Sequence, residues 1–195
     1  TVKHRIGIDD LDSDALLTAF VDRVAAAGAS RFAVHARKAW LEGLDPKQNR
    51  TIPPLQHERV MALKRRRPEL VIELNGGLES PEDCLEALEI CDGAMVGRAA
   101  YSHPLRWTSV DAVIFDEGPR TILASDVVTG LIPHAEAHLQ RGGRLWDLCR
   151  HLVQLVEGVR GARHWRRDLG NRAQRPGADL RILEEAGRQL RDAGL

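Results

Sequence analysis

The chain has 195 residues, of which 43% are hydrophobic and 29% charged, and its 28 basic residues balance 28 acidic ones. This composition excludes disordered, collagenous and fibrous classes, and the length suits one full domain or two small ones. No apolar run nears the roughly 18–20 residues of a bilayer span and no basic-then-apolar leader opens the chain, so a soluble, cytoplasmic protein with no membrane partner is expected.

Three cysteines, Cys84, Cys91 and Cys149, form no CxxC pair. Buried free thiols are expected, with neither a disulfide framework nor a metal site. The first residue is Thr1 and a strand pattern starts at once, which reads as a piece of a longer protein.

Short β-rich runs are predicted at Thr1 to His4, Arg31 to His35, Leu70 to Leu74 and Gly93 to Val96. Helical patterns lie between them: Leu17, Phe20, Val21 and Val24 before Gly28, then Val60, Met61 and Leu63 before Pro68. A third opens at Ser80-Pro81-Glu82-Asp83 with a cap, a proline at the first helical position and acids in the first turn. This βα alternation predicts an α/β fold with a parallel sheet. After Phe115 the pattern turns helical, with helices predicted over 121–141, 144–159 and 179–193. The division expected is 1–118 for the sheet-bearing part and 119–195 for a helical domain.

Four consecutive βα units belong either to half of an eight-stranded barrel or to an open doubly wound sheet. Glycine turns decide between them. They follow the third and fourth strands, at Asn75-Gly76-Gly77 and Gly97-Arg98, whereas an open sheet carries its phosphate loop after the first. In barrels phosphate is held after strands seven and eight, so the four strands are read as strands five to eight of a TIM (β/α)8 barrel.

Each glycine turn is either a tight turn needing positive φ or a cradle whose backbone N–H groups face an anion. Arg98 adds a cation to the second. Alternation sends Lys3 and Arg5 to one side of the first strand and His4 to the other; paired cations at a strand end suit an anionic or electron-rich partner as well as solvent. His35-Ala36-Arg37-Lys38 closes the second strand, with His35 a candidate hydrogen-bonding group and Arg37 and Lys38 candidates to face a polyanion. Lys64 to Arg67 sit at a helix C-terminus, which accounts for them. Asp9-Asp10 and Glu82-Asp83 flank helix starts, where capping accounts for them. Charge is uneven along the chain: residues 1–140 carry −5, and 141–195 carry +5 with twelve basic residues, all Arg. An arginine-rich segment suits nucleic acid, or a solvated helical face.

Several strings together carry a family resemblance. They are Thr1-Val2-Lys3-His4-Arg5-Ile6-Gly7-Ile8-Asp9, His35-Ala36-Arg37-Lys38-Ala39-Trp40-Leu41, Asn49-Arg50 through Pro53-Pro54-Leu55, Asn75-Gly76-Gly77, and Met95-Val96-Gly97-Arg98-Ala99-Ala100-Tyr101. The tail adds Arg163, Trp165, Arg166 and Arg175-Pro176-Gly177-Ala178-Asp179. The chain resembles the C-terminal part of the tRNA-dihydrouridine synthases, nearest their bacterial A type. The resemblance implies the C-terminal half of a TIM barrel followed by an all-helical tRNA-binding domain. It implies FMN as cofactor, NADPH as reductant, tRNA as partner through its D-loop, and a monomeric full-length enzyme that reduces the uridine C5=C6 bond. Lys3 and His35 then contact the flavin, and Asn75, Gly76, Gly77, Gly97 and Arg98 hold its phosphate. Arg5, Arg37 and Lys38 lie towards substrate, and Arg163, Arg166, Arg167 and Arg175 meet tRNA phosphates. The family's proton-donating cysteine belongs to an upstream Asn-x-x-Cys-Pro-type loop, which none of the three cysteines here matches, so the isolated chain is expected to be inactive. Two other readings stay open: a different FMN barrel oxidoreductase, and a vestigial RNA-binding remnant.

Overall fold

The computed structural model describes residues 1–195, which form two compact units, Thr1–Gly97 and Arg98–Leu195. In the first, β1 (Val2–Arg5), β2 (Arg31–His35), β3 (Val71–Asn75) and β4 (Gly93–Met95) make one parallel sheet in the order β1-β2-β3-β4. Helices α1 (Asp14–Ala26), α2 (His57–Arg66) and α3 (Pro81–Leu88) connect them. Right-handed crossovers between strands that never reverse order put every helix on the same face, an arrangement consistent with part of a barrel.

Sequence dictates which face is covered. Phe32, Val34, Ile72 and Leu74 alternate on the helix side and are 0–1% exposed; α1 and α2 bury Leu17, Val21, Val60 and Leu63. Each such side chain contributes about 2 kcal/mol through its removal from water. The register places Lys3, Arg5, Arg31, His35, Glu73 and Asn75 on the other face, where Arg31 pairs with Glu73 at 2.7 Å. His4 falls on the helix side, edge-on to Phe20 at 4.9 Å and to Phe32 at 6.1 Å.

Local signals set the helix ends. Ser13 Oγ accepts the Leu16 N–H to start α1, and Ser80 and Asp83 form a reciprocal capping box on α3 with Pro81 at its first position. Asp9 caps nothing. Its φ is 46° and its carboxylate accepts the Leu41 N–H, a partner 32 residues away that capping logic does not foresee. In the basic run, Lys64 pairs with Asp92 and Arg67 with Asp22.

The second unit holds α4 (Arg98–Ser102), α5 (Val110–Phe115), α6 (Ala124–Gln140), α7 (Leu145–Leu152), α8 (Ala162–Ala173) and α9 (Leu180–Asp192). The compact units thus meet at Gly97–Arg98, ahead of the expected 118/119 limit, since α4 and α5 are too short to show helical periodicity. Helix α8 also escapes that periodicity. Only Ala162, Trp165, Leu169, Gly170 and Ala173 are buried among its charged residues. Val128, Leu145, Leu152, Trp165, Leu169, Leu183 and Leu190 form the core, and the buried Trp165 indole donates to Ala186 O at 3.0 Å. Gly187 brings α9 close to α6: a Cβ there would lie 3.2 Å from Val128 Cγ1. No helix is long and apolar enough to cross a membrane.

All three thiols are free and buried. Burial pushes Cys149 up to about 11 from 9.0. Below pH 9 the thiol is protonated whether folded or not; from 9 to 11 only the unfolded chain ionises it. Stability is therefore expected to fall by about 3 kcal/mol across that window, and Cys149→Ala should lack this component. Urea titrations of both proteins at pH 8 and pH 11 check it, and equal pH slopes would contradict it.

Candidate functional site

The loops after β1, β2, β3 and β4 all leave from the C-terminal edge of the sheet. Asn75 ends β3 opposite Met95 of β4, and its buried side-chain amide donates to Met95 O at 2.6 Å. This bond fastens two adjacent strand ends, so Gly76-Gly77 and Val96-Gly97 emerge side by side. Gly76 and Gly77 have φ of 102° and 76°, which L side chains rarely adopt. Space also restricts them. A Cβ on Gly76 would lie 2.9 Å from His35 Cε1, and one on Gly77 would strike Leu55. Gly97 differs: its φ is not positive and a Cβ there would meet nothing within 4 Å, leaving open room beside the β3 corner. Arg98 begins α4 in the second unit.

His35 stands at the same edge. Its Nδ1 accepts the Arg37 N–H at 3.2 Å, which in the neutral ring leaves the proton on Nε2. His57, which opens α2, donates from Nε2 to Gly76 O at 2.7 Å and so fixes the glycine turn from behind. Lys3 is exposed on the helix-free face; partial burial, then the charge of Arg5, lowers its pKa.

The three cations expected to face substrate each have partners inside the chain. Arg5 donates to Lys38 O and Asn49 O, both at 2.9 Å, and Arg37 donates to Pro53 O. Lys38 pairs with Asp12 at 3.1 Å and reaches Asp9 O at 3.3 Å. Asp12 is shared with Arg59. Burial alone would raise its pKa, but hydrogen bonds from Arg59 and Lys38 hold it below the usual carboxylate range. Together these bonds brace the long loop from 36 to 56. Positive charge nevertheless concentrates there: burial, then Arg37 and Arg50, lowers the pKa of Arg5. Residue type and spacing do not mark Asn49, His57, Asp12 or Arg59 as part of the site. Their partners lie 9 to 47 residues away, and no local spacing signals such bonds.

In the helical unit, Arg163 and Arg167 stand exposed on α8 and Arg175 on the turn after it. Arg166 is half-buried and donates to Ala162 O at 3.3 Å. No three His, Cys, Asp or Glu side chains gather as metal ligands would. Burial raises the pKa of Cys84, Cys91 and Cys149, keeping all three as thiols.

The dihydrouridine synthase (Dus) family matches residues 1–190. The chain belongs to that family. It is similar to the tRNA-dihydrouridine(20/20a) synthase of Shewanella oneidensis, 47% identical over 186 residues, covering 95% of this chain and 56% of that protein. The Salmonella typhimurium synthase of the same name is 46% identical over 193 residues, covering 98% of this chain and 58% of its own length. The Synechocystis synthase is 45% identical over 195 residues, covering 100% and 56%. The chain thus spans about half the length of the curated relatives it matches.

Proposed function

We propose that this Dus chain is the C-terminal part of an FMN-dependent tRNA-dihydrouridine(20/20a) synthase. The paired glycine corners, fastened by Asn75 to Met95, support the cofactor half of this reading. The names of its relatives support the reaction. In it, the sheet-bearing unit forms half of an FMN-holding TIM barrel and the arginine-bearing helices a tRNA-binding domain, in a cytoplasmic enzyme monomeric at full length.

The corners fit a phosphate: two glycines with left-handed backbone stand beside Gly97, whose missing side chain leaves room. Asn75, Gly76, Gly77, Gly97 and Arg98 would hold that phosphate, with Lys3 and His35 attending the ring. When bound, FMN supplies the hydride for the uridine C5=C6 bond, with NADPH as reductant. In a neutral His35 ring, the Arg37 N–H on Nδ1 would leave Nε2 protonated and able to donate to the cofactor. Lys3 supplies positive charge where electron density accumulates, and its lowered pKa reflects the cation beside it after partial burial. Arg5, Arg37 and Lys38 contribute by shaping the rim through backbone contacts and by their field towards the D-loop of tRNA. The proton for C5 requires a donor beyond the three buried thiols of this chain.

The test is restoration in cells that lack dihydrouridine at positions 20 and 20a. Co-expressing the chain with the N-terminal half of a relative is expected to return the modification, measured by mass spectrometry of tRNA. The chain alone is expected to return none. Modification by the chain alone, or by neither, would contradict the proposal.

A further inference from the structure

Trp40 is held more firmly than an idle surface residue needs. It lies in the loop after β2, at the C-terminal edge of the sheet. Asn49 brackets its backbone, accepting the Trp40 N–H at Oδ1 at 2.8 Å and donating from Nδ2 to Trp40 O at 2.6 Å. Flanking residues are fixed as well: Ala39 bonds Gly7 and Asp9 through its backbone, and Leu41 N–H donates to Asp9 Oδ1 at 2.8 Å. Trp40 as a residue is nonetheless 36% exposed.

One face of the ring has a cation. Lys38 Nζ lies 4.1 Å from the ring centroid and cannot drift off easily, because it also pairs with Asp12, which Arg59 holds from the other side. An ammonium on one face draws on the ring's electron density and keeps the indole plane oriented. Positive charge gathers in the same loop: Arg5 donates to the backbone carbonyls of Lys38 and Asn49, the residues that hold Trp40, and feels the charges of Arg37 and Arg50. A firmly held, part-exposed aromatic plane in a loop of net positive field has the chemistry of a single-stranded nucleic-acid platform: the base stacks and the field favours the phosphates. A protein partner covering the same spot would have to desolvate that charge, which makes RNA the better-matched occupant.

We propose that Trp40 is a stacking platform for an unpaired base of the RNA substrate, on the ring face opposite Lys38. The inference rests on the reading of the chain as tRNA-binding and adds to it a specific base contact.

The experiment titrates the 195-residue chain with an unmodified tRNA transcript, alongside Trp40→Phe and Trp40→Ala. The emission difference between the parent chain and Trp40→Phe isolates the Trp40 signal, and tRNA is expected to quench it. Trp40→Ala is expected to bind tRNA about five- to a hundredfold more weakly, as loss of one stacked base predicts, while Trp40→Phe stays within about threefold of the parent. The dependence of affinity on salt should stay unchanged in Trp40→Ala, because stacking releases no counterions. If the parent binds tRNA but Trp40 is not quenched, the stacking role is overturned and the RNA reading stands. If the parent binds no tRNA, both fall. Should Trp40→Ala fail to fold, quenching and the phenylalanine variant still decide.

Discussion

Replacing Arg163, Arg167 and Arg175 together with Gln is expected to weaken tRNA binding on the order of a hundredfold near physiological salt. All three side chains are exposed on α8 or the turn after it. Each phosphate left without its arginine should also reduce the slope of log affinity against log salt by about 0.7 to 0.9, so the triple variant should flatten it by about 2 to 3. Filter binding across a salt series measures both quantities. Arg172, one helical turn from Arg175, provides the contrast. It is tied to Asp168 at 3.3 Å and to Glu185 at 2.5 Å, so Arg172→Gln should disturb the helical unit and leave the salt slope in place. A triple variant that keeps the parent's slope would remove α8 from the proposed tRNA surface.

Phe32→Ala should cost the first unit about 3–5 kcal/mol, the range for deleting a large aromatic from a packed core. Phe32 is fully buried in β2, on the helix side of the sheet, in register with Val2 and Ile72 and edge-on to His4. Few atoms can move in to fill the gap, because its neighbours along the strand, Ala33 and Val34, are themselves fully buried. Leu41→Ala, by contrast, alters a residue 69% exposed and should stay within about 0.5 kcal/mol. Urea unfolding measures both. A Phe32→Ala loss below about 1 kcal/mol would mean that the helix-side face is looser than its burial indicates.

Much of the first unit is legible in the sequence because its signals are local. Each strand lies within a residue of its predicted place, and the Ser80-Pro81-Glu82-Asp83 start of α3 is capped as its residue types require. The glycine corners are legible too, as is the alternation that sends His4 away from Lys3 and Arg5. Less is legible in the second unit. Helix α8 carries too few apolar residues for periodicity to show, the segment after Leu152 leaves its helix sooner than Leu155 suggests, and α4 and α5 are too short.

The braced loop shows most clearly what spacing does not reveal. By residue type Arg5, Arg37 and Lys38 are cations suited to a polyanion, yet they bond carbonyls and a carboxylate brought near by folding. Trp40 carries no local signal of its own in the sequence and is the residue that those bonds leave rigid and exposed.

By itself, then, the sequence determined the order of strands and helices, the apolar face of the sheet, the position of the glycine turns and the family to which the chain belongs. The first three follow from residue type and short-range periodicity, and the family from the resemblance that its motif strings carry. Only the tertiary structure decided which charges are spent inside the molecule and which face solvent, where a partner can meet them. That depends on pairs such as Arg5 with Asn49 and Lys38 with Asp12, 26 to 44 residues apart, which meet only when parallel strands bring their ends to one edge.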